Sequence, residues 1–79
     1  MKKENTIAIE QLSKLRSMVK ASQKYNDESA VAVREEAMNE RGKLRLRDKI
    51  DIADYEGGAL ADFSTGNVID KMILELVAE

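Results

Sequence analysis

The chain has 79 residues, 13 of them basic and 15 acidic, for a formal net charge of -2, and it contains no His, Cys, Pro or Trp. At that length one small core is expected, in a single domain spanning residues 1–79. Without His or Cys there can be no nucleophilic triad, thiol chemistry, haem ligation or ordinary zinc site, and no disulfide can staple the fold.

The first predicted element runs from Ile7 to Tyr25. At helical spacing Ile7, Ala8, Leu12, Leu15, Met18 and Val19 share one face, and Glu10, Ser13, Lys14, Ser17, Lys20 and Lys24 share the opposite one. Asn5 or Thr6 is the expected N-cap. Ala8, Leu12, Leu15 and Val19 follow a 4-3-4 spacing, which suits the seam of a helical hairpin or coiled coil. Tyr25-Asn26-Asp27-Glu28 then breaks the pattern. Asn26 or Asp27 can cap a second helix from about residue 28 to 41, ended by Gly42 in the position after the last turn. The inner stripe of that helix is small, Ala30, Val33 and Ala37, so an antiparallel hairpin of these two helices is expected.

The third segment reads two ways. Leu44, Leu46, Ile50 and Ile52 all stand at even positions, which is strand periodicity, and Arg47-Asp48-Lys49 could form a hairpin loop between them. Against this, Arg47 and Asp51 form a favourable i,i+4 pair, and Asp48 can cap a helix that reaches Tyr55 and ends at Gly57-Gly58. Residues 57–67 hold Gly57, Gly58, Ser64, Thr65, Gly66 and Asn67 and read as a loop. Asn67 then caps a last helix, Val68 to Val77, whose Val68, Ile69, Met72, Ile73, Leu74, Leu76 and Val77 cover more than half of its circumference. The expected fold is all-α: a helical hairpin, a short third helix and an apolar C-terminal helix. The alternative is α+β, with a short strand or hairpin at about 43–53.

Charge is distributed in blocks. Residues 1–25 hold six basic and two acidic side chains, residues 26–40 one and five, residues 41–49 five and one, and residues 50–79 one and seven. Neighbouring blocks of opposite sign can neutralise one another in an antiparallel fold. Asp48, Asp51 and Asp54 recur every third residue, but acid–base work needs a pocket that separates their pKa values, and the Asp-x-Asp-x-Asp-Gly calcium loop does not occur. The glycines lack the spacing and the following Lys-Ser or Lys-Thr of a phosphate loop. Tyr25, Tyr55 and Phe63 are too few and scattered for a base-stacking platform. These features predict a chain that is not an enzyme and has no cofactor or metal. The charges at Glu10, Lys14 and Arg16 interrupt any signal-like apolar run, and the longest such run, Met72-Ile73-Leu74, falls far short of a membrane span. A cytoplasmic protein is expected.

Two partner surfaces follow. Small domains without staples lean on oligomerisation, and a homodimer joined through Leu12, Leu15, Val19, Ile73, Leu74 and Val77 would bury the surplus apolar surface. The basic stretch 41–49 offers Lys43, Arg45 and Arg47 to a charged partner. As a strand, these three would point to one side and Leu44 and Leu46 to the other. The order strand, helix, Gly/Asn turn, helix over residues 43–79 then resembles the ribbon-helix-helix repressors, and the resemblance implies DNA binding by the ribbon. It departs from that family at Gly57-Gly58, which would interrupt the first helix, and in the acidity of the last 30 residues. The first expectation for function is a non-enzymatic protein-binding module, a regulator or inhibitor of another protein of the type carried by phages and mobile elements. A DNA-binding repressor or antitoxin is the alternative.

Overall fold

The computed structural model describes residues 2–79. Two long helices, α1 (Lys3–Arg41) and α2 (Leu46–Ala78), lie antiparallel and form a hairpin 58 Å long and 14 × 13 Å across. No strand occurs among the described residues.

The all-α expectation holds, and so does the stop at Gly42. That residue adopts φ 70°, in the left-handed region, and its backbone N–H donates to the Met38 carbonyl at 2.9 Å, closing the last turn of α1. The helix count is corrected. No break occurs at 25–28, so the two helices expected over 7–41 are one. The segment 43–53 resolves as helix from Leu46 onward, and the strand alternative is not observed. The loop expected at 57–67 is helical throughout, so the short third helix and the apolar C-terminal helix are parts of α2. The hairpin therefore turns at 42–45, not near residue 26.

A seven-residue repeat runs through both helices. On α1 the buried or half-buried positions Asn5, Ile9, Leu12, Arg16, Val19, Gln23, Asn26, Ala30, Val33 and Ala37 alternate spacings of four and three. On α2, Asp48, Ile52, Tyr55, Ala59, Asp62, Gly66, Ile69, Ile73 and Leu76 do the same. This is the seam of an antiparallel two-helix coiled coil. It is thinly apolar: the buried hydrophobic side chains are Ala30, Ala37, Ile52, Ala59 and Ile69.

Polar pairs fix the register. The Asn5 side-chain amide donates to the Leu76 carbonyl at 3.3 Å and to the Glu79 carboxylate at 3.0 Å. Arg16 Nε meets Asp70 at 2.9 Å, the Asn26 amide meets Asp62 at 3.1 Å, and Arg34 meets Glu56 at 3.1 Å. Sliding one helix along the other by a turn would break all of these together; the part-buried Asn5 and Asn26 bonds select one alignment most strongly, and the exposed Arg16–Asp70 and Arg34–Glu56 pairs add less. The basic residues 1–25 thus run beside the last part of α2, with Asp62, Asp70, Glu75 and Glu79, and not beside the neighbouring acidic block 26–40, which continues α1 and lies along the equally acidic stretch 51–62.

At the turn, Asp48 ties the ends together. Its carboxylate accepts from the Arg45 backbone N–H at 2.9 Å, which caps the start of α2, and from Arg41 Nη2 at 2.5 Å, which anchors the end of α1.

Candidate protein-binding surface

Every side chain that faces away from the seam is open to solvent, and many of these are apolar. Among the described residues, fourteen large hydrophobic side chains are 44% exposed or more, while no large side chain is fully buried. Scattered single hydrophobics on a surface need no explanation, but contiguous ones do.

The seam divides the rest of the hairpin into two sides. One is marked by Tyr25 and Tyr55, whose rings meet edge-on with centroids 6.3 Å apart. The other is marked by the Arg34–Glu56 ion pair. The seven-residue repeat assigns the remaining positions. On the tyrosine side α1 presents Ala8, Gln11, Leu15, Met18, Ser22, Tyr25, Ser29 and Ala32, and α2 presents Gly58, Ala61, Thr65, Val68 and Met72. None of these thirteen residues is charged, in a chain that is 35% charged. Acidic residues bound the stretch at both ends, Glu4 and Glu75 at one and Glu36 and Asp54 at the other. Over the same length the ion-pair side carries Glu10, Lys20, Lys24, Asp27, Glu56 and Asp70.

A second, interrupted apolar strip follows the outer surface and ion-pair side of α2 as three pairs, Leu46 with Ile50, Leu60 with Phe63 and Leu74 with Val77, separated by Glu56, Asn67 and Asp70; Leu46 and Leu74 are the most exposed at 75% and 69%. Between these surfaces there is no enclosed cavity among the described depressions; the broadest, bordered by Ser17, Lys20, Ala21, Lys24 and Glu28, is an open surface groove. Among the described residues no three acidic side chains converge as a metal site would require, and no helix is long and apolar enough to cross a membrane.

The six residues expected at an oligomer interface do not share a face. Leu12, Val19 and Ile73 are half-buried in the seam within one chain. Leu15 stands on the tyrosine side, and Leu74 and Val77 on the α2 outer strip. Lys43 is exposed in the 42–45 turn. Arg45 caps α2 and Arg47 lies in its first turn, Arg45 beside Asp48 at 3.8 Å and Arg47 beside Asp51 at 3.4 Å, so the three basic residues straddle a turn and a helix start and form no ribbon. Sequence reasoning missed Met18, Tyr25, Val68 and Met72 as one surface. The seven-residue step from Met18 to Tyr25, together with the lack of charge at Gln11, Leu15, Ser22, Ser29 and Ala32 in the same two positions of the repeat, is the signal that could have found it.

Comparison of the chain with protein-family models, with curated proteins and with solved structures finds no match.

Proposed function

We propose that the chain is a non-enzymatic protein-binding module, a regulator or inhibitor that acts by covering part of another protein and that also pairs with itself. Surface area carries this reading. A folded monomer of 8.9 kDa typically exposes about 4,800 Å², whereas this hairpin exposes 5904 Å². The surplus, about 1,100 Å², exceeds the ~800 Å² that each partner contributes to a standard protein interface. Fourteen large hydrophobic side chains stand on the exposed surface, and burial of apolar area stabilises by roughly 25 cal/mol per Å². A hairpin with so little core of its own gains stability by completing that core against a partner.

The α2 outer strip suits a helix or groove on the regulated protein, with Phe63 and Leu60 as anchors near its middle. Affinity capture from an extract of the native cell tests this. Wild type should retain a specific protein that the Leu60→Glu/Phe63→Glu double variant loses. If neither form captures a protein, and wild type instead shifts duplex DNA in a steeply salt-dependent way, the repressor reading takes its place.

A further inference from the structure

We propose that the tyrosine side is closed by a second copy of this chain, so that two hairpins pack through Leu15, Met18, Tyr25, Val68 and Met72 into a four-helix bundle. The proposal rests on the protein-binding reading and names the occupant of one of its two surfaces.

The absence of charge is what selects a second copy. In a two-fold interface the same patch is used by both subunits, so residues near the axis lie beside their own copies. Any charge there meets its like, and juxtaposed like charges oppose association. A different partner imposes no such limit: it can offer the opposite sign, and a chain with this many charged residues would be free to use them. The tyrosine side omits both signs for about four helical turns on α2 and seven on α1, while the opposite side over the same length does not. Self-packing accounts for that difference.

The centre of the surface also fits. The charge-free stretch has its middle at residue 20 on α1, between Met18 and Ser22, and at Thr65 on α2. Arg16 lies over Gly66 and Asn26 over Gly58, so these two midpoints stand within about one helical turn of each other on the hairpin. A two-fold axis through this level brings small side chains, Ser22, Ala61 and Thr65, to the middle, where helix axes must approach to within about 8–10 Å. Met18 and Tyr25 on either side supply adaptable and aromatic contact area. The acidic ends, Glu36 with Asp54 and Glu4 with Glu75, limit the contact to this stretch and prevent it from growing along the rod.

Sedimentation of wild type, Met18→Glu and Leu74→Glu tests the proposal, with circular dichroism to confirm that each variant keeps its helices. Met18 is 68% exposed and Leu74 69% exposed within one chain, so neither change disturbs the hairpin itself. Wild type should be a dimer, Met18→Glu should weaken it about tenfold or more, and Leu74→Glu should leave it unchanged. Because the chain has no cysteine, Ser22→Cys provides an independent reading: a residue near the axis should give a rapid disulfide-linked dimer under mild oxidation. A dimer that survives Met18→Glu and is lost in Leu74→Glu would overturn the proposal and move self-pairing to the α2 outer strip. A wild-type monomer at high concentration would overturn self-pairing altogether. The capture experiment with Leu60→Glu/Phe63→Glu would still decide the protein-binding reading by itself.

Discussion

Asp48 is the residue on which the turn depends. Its first partner is the Arg45 backbone N–H, which holds the carboxyl below its ordinary value of 3.8; burial opposes this, and the hydrogen bond and charge of Arg41, with the charge of Arg45, add to the lowering. A carboxylate whose folded pKa is depressed contributes stability above its unfolded value, and that contribution disappears as pH falls through the folded value. The hairpin should therefore lose stability as pH falls below about 3.8, and Asp48→Asn should remove that part of the loss. Thermal melts across the acid range check this. The variant should melt below wild type at pH 7 and converge with it at low pH, whereas equal Tm values at pH 7 would show that the Asp48 contacts do not hold the turn. Glycines separate in the same residue-by-residue way. A Cβ on Gly57 would meet nothing within 4 Å, but one on Gly66 would stand 2.5 Å from Arg16 Nη1. Gly57→Ala should stabilise by about 0.5–1 kcal/mol through helix propensity alone. Gly66→Ala must displace the guanidinium that reaches Asp70, so its Tm should not rise; denaturant unfolding of the two variants side by side distinguishes the cases.

Elements were legible in sequence where the signal is local. Gly42 ends α1 because a residue without Cβ accepts the left-handed conformation there; of the seam expected at Ala8, Leu12, Leu15 and Val19, Leu12 and Val19 lie in it, whereas Leu15 is exposed and Ile9 and Arg16 take the seam positions between them. The interruptions expected at 26–28 and 57–67 failed for a shared reason. Asn, Asp and Gly favour turns when judged against their neighbours in sequence, yet here Asn26, Gly58, Asp62 and Gly66 each answer a residue on the other helix. Gly58 lacks a side chain where Asn26 lies, and Gly66 where Arg16 lies; Asn26 in turn finds Asp62. Helix propensity costs these residues only about 1 kcal/mol each at most, and the paired seam outweighs it. Neither half of such a pair has a visible reason alone. The binding surface was hidden for a related reason. With helices assigned as four short pieces, residues such as Met18 and Met72 have no common face; with two continuous helices and one register, they do.

At the scale of the whole molecule, a rod 58 Å long with a core of three alanines and two isoleucines exposes more surface than a chain of this size normally carries alone, with fourteen large hydrophobic side chains on it. Two ways of covering it differ in shape. Side-by-side pairing through the tyrosine side doubles the mass while keeping the length of one helix, whereas pairing by the ends or by opened hairpins lengthens the particle. Small-angle X-ray scattering of the wild-type chain separates them in one measurement. Side-by-side pairing gives a scattering mass near twice 8.9 kDa with a longest dimension still about 60 Å, the rise of a 39-residue helix. A mass of 8.9 kDa at high concentration, or a dimer of about 100 Å or more, well beyond that single-helix rise, would contradict it.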